Sequence, residues 1–131
     1  DHTLCIFKVN CGGVPVVEHN GDFYSCDHYV DKDHLIGNIN AGTLSGFLND
    51  NRQLEFGKAK SSTLPGCCRE CNVLDMCNGE CPKNRFIMTP DGEPGLNYLC
   101  SGYKMFFNHC LPFIEALRQV LLNEQGEALT P

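Results

Sequence analysis

The chain has 131 residues and a formal net charge of −6 at pH 7. This length suits a single domain that buries roughly two-thirds of the surface exposed by its unfolded chain. An acidic chain without a run of Lys and Arg argues against nucleic acid or an anionic membrane as its partner. No apolar stretch approaches the length of a membrane span, and no signal-peptide pattern opens the sequence.

The first half of the chain predicts a β-hairpin followed by helices. Residues 14–26 place the pair Asn20-Gly21 between β-forming residues, which is a strong hairpin signal and predicts positive φ at both positions. A short strand is expected within residues 35–39. Apolar spacing from 43 to 60 predicts a helix in two pieces, with the second beginning near Asn49 or Asp50. Residues 61–66 are predicted to be a linker.

The second half predicts a second hairpin and a long helix. We expect a strand at 86–89, a turn at 90–92 and a returning strand at 96–100. Apolar residues at helical spacing predict a C-terminal helix from about 105 to 123. Pro112 suits only a first turn or a kink, so Leu111 is an alternative start for this helix.

Between these halves lies a cluster of thiols with the spacing Cys68-x2-Cys71-x5-Cys77-x3-Cys81. Four soft sulfur donors within fourteen residues are typical of a zinc site or an iron–sulfur cluster. Gly79 and Pro82 are predicted to keep this block out of regular structure.

The whole chain contains ten cysteines, and a chain this rich in cysteine uses them mainly as disulfides or as metal ligands. Disulfides indicate an oxidising, secreted setting, whereas metal ligands indicate a reducing cytoplasm. The sequence has no N-x-S/T glycosylation site, and the adjacent pair Cys67-Cys68 favours metal. We therefore expect a cytoplasmic metal-binding protein, and a disulfide scaffold is the least favoured alternative. Because the sequence opens at Asp1 and not at Met, we also expect an excised segment of a longer protein.

Apart from Cys67 and Cys110, eight cysteines remain, which is two sets of four. The pattern Cys11-x9-Gly21-x4-Cys26, then the central block, then Cys100 resembles the signature of SPASM domains. These are auxiliary iron–sulfur domains at the C-terminal end of certain radical S-adenosylmethionine enzymes. The upstream Cys5 and the segment "NGDFYSCDHY" are most similar to anaerobic sulfatase-maturating enzymes, which oxidise a Cys or Ser of a sulfatase to formylglycine.

The resemblance implies two [4Fe–4S] clusters with interleaved ligands. One would be held by Cys5, Cys11, Cys26 and Cys81, and the other by Cys68, Cys71, Cys77 and Cys100. A comparable exchange of one cysteine between clusters occurs in two-cluster ferredoxins. With Cys5 as a ligand the first cluster has no open iron, and both clusters then serve electron transfer or structural support; without it, one iron is open to substrate. The sequence favours the closed form.

The resemblance also implies that Asp27 is the general base that takes the proton from the substrate's thiol or hydroxyl group. Without it, an Asp that caps a turn would be the ordinary interpretation. We expect His28 to lie behind the ligands or on the surface, and Cys110 to be a buried structural thiol. Cys67 can replace Cys68 only by lengthening the first spacing to x3. Lys83 and Arg85 either offset thiolate charge or lie on a solvated face.

Together these expectations describe an α+β domain spanning 1–131, with short β-hairpins and loops around two cluster sites (5–100) and a C-terminal helix (105–123). The C-x3-C-x2-C triad of radical enzymes is absent from this chain. The resemblance therefore implies an N-terminal barrel domain that holds S-adenosylmethionine and a third [4Fe–4S] cluster, with a sulfatase polypeptide as substrate. The chain alone is expected to be inactive, and to seat the substrate and accept an electron.

Two alternatives remain open from the sequence. The first is a domain of a radical enzyme that makes thioether or related crosslinks in peptides. The second is a zinc module for protein binding that is not an enzyme, because four thiolates suit zinc well. Zinc is also a possible substitute in the iron sites, so zinc in a preparation would not by itself identify the native metal.

Overall fold

The computed structural model of the chain describes residues 2–127, and its mixed helices and short antiparallel strands confirm the predicted α+β class. The strands are β1 (Val16–Val17), β2 (Asp22–Tyr24), β3 (Leu35–Asn38), β4 (Ile87–Met88) and β5 (Pro94–Leu96). The α-helices are α1 (Leu44–Leu48), α2 (Asn51–Ser62), α3 (Gly66–Arg69), α4 (Leu74–Cys77) and α5 (Cys100–Glu127). Single 3-10 turns occupy Cys5–Phe7, Lys32–His34 and Pro82–Asn84.

The predicted first hairpin is present, but its turn differs from the expected one. β1 and β2 pair antiparallel, with Val16 opposite Tyr24. Gly21 has φ +89, as predicted, whereas Asn20 is not among the described residues with positive φ. The loop is longer than two residues because the amide of Gly21 donates to the carbonyl of Glu18 at 2.8 Å. The side chain of Asn20 instead accepts from the amide of Asp22.

The expected strand near residues 35–39 is β3, which pairs antiparallel with β2 and completes a three-stranded sheet in the order β1-β2-β3. Phe23 of β2 is 1% exposed and lies 5.3 Å from Phe47 of α1, centroid to centroid. This aromatic pair fastens α1 to the sheet and forms one part of a small core.

The two-piece helix is confirmed, and each piece begins at a side-chain cap. Thr43 accepts from the amide of Gly46 before α1, and Asp50 accepts from the amide of Arg52 before α2. α2 continues to Ser62, so the predicted linker is shorter than expected. Its buried face is mostly polar and consists of Gln53, Gly57 and Lys60.

The cysteine block is more regular than predicted. It contains α3, α4 and the 3-10 turn that begins at Pro82. Pro82 begins this turn instead of preventing it, because its fixed φ suits a first helical position and no backbone donor is needed there. The irregular part of the block is confined to the residues around Gly79.

The second hairpin is displaced from its predicted return strand. β4 pairs with β5, and Ile87 lies opposite Leu96. β5 therefore ends where the predicted return at 96–100 begins. The amide of Leu99 donates to the side chain of Asn97 at 2.8 Å, and Cys100 then opens α5.

The C-terminal helix begins earlier than predicted, at Cys100 and not near 105, and the alternative start at Leu111 is wrong. Pro112 lies inside α5. It deprives the carbonyl of Asn108 of its helical donor, and both residues are exposed, so water can satisfy this carbonyl. The residues 2–127 contain no helix with the length and apolar character required to cross a bilayer.

Candidate metal centres

All ten cysteines are free thiols, so no disulfide links any pair of them. Nine of them line two separate cavities. One cavity is lined by Cys5, Cys11, Cys26 and Cys81. The other is lined by Cys68, Cys71, Cys77 and Cys100, together with Cys67. The fold thus brings together each of the two sets that the family resemblance implied, including the return of Cys81 to the N-terminal thiols.

The first cavity, which we call site 1, is nearly closed. Cys26 and Cys81 are buried, Cys5 and Cys11 are half-buried, and the free volume is about 20 Å³, little more than the space of one water. The thiol of Cys26 donates to Asp27 Oδ1 at 3.3 Å. A polynuclear core therefore requires the thiol side chains to rotate away from one another.

Helix α2 holds the loops of site 1 in place. The amide of Cys11 donates to the carbonyl of Gly57 at 3.0 Å. Nε2 of Gln53 donates to the carbonyls of Gly12 and Ser25, at 3.1 and 3.2 Å. The loop that carries Cys11 and the strand end before Cys26 are therefore attached to one helix face. Gly57 is needed there because an added Cβ would lie 3.0 Å from the carbonyl oxygen of Cys11.

Lys60 places a buried positive charge beside site 1. It is 1% exposed, and its Nζ donates to the carbonyls of Cys5 and Ile6, at 3.1 and 2.7 Å. Burial raises the pKa of the Cys11 thiol, and the Lys60 ammonium opposes that rise. A buried ammonium stabilises thiolates, which are the ligating form of cysteine. Sequence reasoning missed Lys60; the i, i+4, i+7 spacing of Gln53, Gly57 and Lys60 was the available signal.

The second cavity, site 2, has a volume of about 330 Å³. Its cysteines come from four places: α3, the residue Cys71 after it, the end of α4 and the start of α5. Burial raises the pKa of Cys68 to about 12, and the neighbouring thiol of Cys67 adds to this rise. Metal binding at such a site must displace protons from these thiols.

Neither set of four thiols has the spacing of a single zinc ion. With Zn–S bonds of about 2.3 Å, a tetrahedral zinc holds its sulfurs about 3.8 Å apart. Among residues 2–127, the one group of three donor side chains with all ligand atoms within 4.8 Å consists of Cys26, Asp27 and His28. The wider spread of thiols around site 2 suits a polynuclear core. The chemistry of both donor sets, four thiols each, suits iron–sulfur clusters.

The two sites are joined by Asn78-Gly79-Glu80, a segment that runs from Cys77 of site 2 to Cys81 of site 1. All three residues have positive φ, at 47, 69 and 56°. Two of them carry side chains, so this backbone costs about 1–2 kcal/mol for each of those residues. All three are buried, and their surroundings must compensate for that cost.

Arg85 supplies much of this compensation. Its guanidinium donates to the carbonyls of Gly79 (2.8 Å), Asn78 (2.8 Å) and Glu80 (3.0 Å). A fourth bond reaches the carbonyl of Lys60 at 2.6 Å, which fastens the segment to α2. The thiolates of Cys68 and Cys11, one from each site, raise the pKa of Arg85 against the lowering effect of its burial. One guanidinium thus faces both sites.

Gly79→Ala is expected to lower the free energy of unfolding by about 2–4 kcal/mol. An added Cβ would clash with Leu64 Cδ2 and lie 2.6 Å from Arg85 Nη2. Gly92→Ala is the matched control, since Gly92 has φ +85 but no atom within 4 Å of its added Cβ. The control is expected to cost only about 1 kcal/mol. Equal losses in thermal unfolding followed by circular dichroism would contradict the close packing around Gly79.

The remaining predicted residues are placed as follows. Asp27 and His28 are exposed at the edge of site 1, and a ring nitrogen of His28 lies 3.5 Å from the sulfur of Cys81. Lys83 is exposed, with its ammonium 4.7 Å above the ring of Tyr29. Cys110 was predicted to be buried, which is wrong, because it is half-exposed on α5. A 28-residue helix that packs on one side only leaves such positions near solvent.

Comparison with known proteins relates most of the chain to one group of enzymes. Residues 11–72 match the SPASM family, described as an iron–sulfur cluster-binding domain. The serine-type anaerobic sulfatase-maturating enzyme of Bacteroides thetaiotaomicron is 48% identical over 125 residues, which cover 95% of this chain and 30% of that enzyme. The cysteine-type enzyme of Clostridium perfringens is 35% identical over 108 residues, covering 82% of this chain and 29% of that enzyme.

A solved structure gives the same relationship. Native anSMEcpe with bound AdoMet and Cp18Cys peptide superposes with a TM-score of 0.74 at 30% identity, over 91% of this chain and 32% of that one. The chain therefore spans about a third or less of the length of the relatives that it matches.

Proposed function

We propose that the chain is the auxiliary-cluster part of an anaerobic sulfatase-maturating radical S-adenosylmethionine enzyme, because its residues 11–72 match the SPASM family of iron–sulfur cluster-binding domains. The observation that carries this proposal is the gathering of nine thiols around two cavities, four at site 1 and five at site 2. Relatedness to serine-type and cysteine-type enzymes over most of the chain supports the same function. Formylglycine formation on a sulfatase peptide is the proposed activity of the whole enzyme.

Site 1 is proposed to hold one [4Fe–4S] cluster through Cys5, Cys11, Cys26 and Cys81. Site 2 is proposed to hold another through Cys68, Cys71, Cys77 and Cys100. With four thiolates each, neither cluster has an iron open to substrate. When bound, the clusters supply electron transfer. The chain's own residues hold them, supply positive charge through Lys60 and Arg85, and place Asp27 at the edge of site 1.

Asp27 is proposed to take the proton from the thiol or hydroxyl group of the substrate. Its side chain is exposed, so a peptide can reach it, and its Oδ1 lies 3.3 Å from the sulfur of Cys26. A proton acceptor next to an electron acceptor suits an oxidation in which substrate loses both. We propose that S-adenosylmethionine, a third cluster and the barrel that holds them belong to another part of the same polypeptide, and that the enzyme acts in the cytoplasm.

The metal content of the chain tests the proposed cofactors. After anaerobic purification and reconstitution, we expect about eight irons and eight acid-labile sulfides per chain, as two four-iron clusters require. Stoichiometric zinc without iron, even after reconstitution with iron and sulfide, would contradict the proposal and favour the zinc module. Four irons would contradict the count of two clusters.

Replacing Asp27 with Asn in the full-length enzyme is expected to slow formylglycine formation by at least about 100-fold, as is typical for loss of a general base. Iron content should not change, because the carboxylate is not a proposed ligand. Asp33→Asn is the matched control, since Asp33 is another exposed carboxylate and belongs to the 3-10 turn Lys32–His34. Peptide oxidation is measured by mass spectrometry. Unchanged turnover in Asp27→Asn would remove Asp27 as the assigned base.

A further inference from the structure

Site 2 contains one thiol more than a four-iron cluster requires. Five cysteines line its cavity, and Cys67 is the extra one. Cys67 and its neighbour Cys68 both belong to the short helix α3. Cys67 is exposed and Cys68 is half-buried, so Cys67 lies toward the solvent side of the same cavity.

Cys67 shares its cavity with all four proposed ligands of site 2. It directly precedes Cys68 in the chain, and both residues line the same space of about 330 Å³ as Cys71, Cys77 and Cys100. A thiolate from position 67 can therefore enter the cavity that the thiolate of Cys68 enters.

We propose that Cys67 is an alternative ligand of site 2, able to bind the iron that Cys68 binds. This inference rests on the proposed function, because it assumes an iron–sulfur cluster at site 2. Cys71, Cys77 and Cys100 are then the fixed ligands, and the fourth position is shared between two adjacent residues of α3. Cys71, Cys77 and Cys100 each lack an adjacent cysteine in the sequence.

The exchange is a ligand substitution that balances without any redox partner. Cys67 loses its thiol proton to solvent and forms an Fe–S bond. The Fe–S bond of Cys68 breaks, and the Cys68 thiolate takes up a proton. The iron keeps its oxidation state. Because Cys67 is exposed, solvent can exchange the proton directly.

Alkylation of the reconstituted chain tests this exchange, with iodoacetamide as the probe and mass spectrometry as the readout. In the unaltered chain Cys67 is expected to react, because Cys68 binds the iron and Cys67 is free and exposed. In Cys68→Ala, Cys67 is expected to be protected at least about tenfold. Alanine is used because a serine oxygen can itself bind iron. Cys110, which is half-exposed and outside both sites, is the internal standard and should react equally in both chains.

Iron content provides the second readout. Cys68→Ala and Cys67→Ala are each expected to keep about eight irons, whereas the double variant should keep about four. Cys71→Ala is the matched control, and it should lose a site that Cys67 cannot restore. Two outcomes would overturn the inference. The first is alkylation of Cys67 in a Cys68→Ala chain that still contains both clusters. The second is the loss of four irons from Cys68→Ala while its circular dichroism is unchanged. Fewer than eight irons in the unaltered chain would instead contradict the proposed function.

Discussion

Removing Cys81 together with Cys11 is expected to leave about four irons per chain, whereas removing Cys81 together with Cys100 should leave almost none. The reason is the proposed interleaving of the two ligand sets. Cys81 and Cys11 line the same cavity, so the double variant Cys11→Ala/Cys81→Ala damages one site only. Cys100 lines the other cavity, so Cys81→Ala/Cys100→Ala damages both.

These pairs distinguish the interleaved arrangement from a contiguous one. If the central block Cys68-x2-Cys71-x5-Cys77-x3-Cys81 held one cluster by itself, Cys11→Ala/Cys81→Ala would damage both clusters and leave almost no iron, and only Cys81→Ala/Cys100→Ala would give the same result in the two arrangements. Cys77→Ala/Cys100→Ala is the control, a pair from site 2 alone that should also leave about four irons. The measurement is iron and acid-labile sulfide after anaerobic reconstitution. Four irons in the Cys81/Cys100 variant would show that the ligand sets are wrongly assigned.

The first half of the fold was largely predictable because local signals and tertiary contacts agree there. Asn20-Gly21 between β-forming residues specified a hairpin, and Thr43 and Asp50 specified two helix starts. The loop length was not predictable, because it depends on the bond between Gly21 and Glu18. A turn residue indicates where the chain reverses but does not fix the register of the strands.

The second half was less predictable because its boundaries are set by nonlocal contacts. The return strand ends at Leu96, earlier than its β-forming residues suggested, because the side chain of Asn97 accepts from the amide of Leu99 and donates to the carboxylate of Glu80. Helix α5 then passes through Pro112, which propensity alone would place at a helix start. The helical turns between Cys100 and this proline were therefore only partly predicted.

In the candidate sites, too, sequence spacing indicated some features, whereas others depend on tertiary packing. Cysteine spacing and a family resemblance suggested the ligand sets, but the charges that face them were not evident from the sequence. Lys60 was only the last residue of the helical segment predicted at 43–60, yet it is buried and donates to the carbonyl of Cys5. For Arg85 the sequence left two interpretations open, a residue on a solvated face or a charge that offsets thiolates. In the structure its side chain donates to the carbonyls of the segment between the two sites. A hydrophobicity pattern cannot identify a cation that is buried for its hydrogen bonds.

Replacing Arg85 with Met is expected to lower the free energy of unfolding by at least about 3 kcal/mol and to reduce the iron content of both sites. The four carbonyls that Arg85 binds lose charged donors worth about 1.5–3 kcal/mol each before any relaxation. Three of these carbonyls belong to residues with positive φ, so nothing then offsets their backbone cost. Because the segment carries Cys77 at one end and Cys81 at the other, both sites lose their spacing together.

Two companion variants show whether the shape or the charge of Arg85 matters. Lys83→Met is the control: it removes a cation two residues away that is exposed, and both iron and thermal stability should remain unchanged. Arg85→Lys keeps the charge but not the planar fork, so it should recover only part of the stability, since an ammonium cannot reach carbonyls in four directions. Full recovery by Arg85→Lys would assign the effect to charge alone. Full stability and about eight irons in Arg85→Met would contradict the joint dependence of the two sites on the Arg85 side chain. Contacts other than those of Arg85 would then have to stabilise the three consecutive left-handed residues.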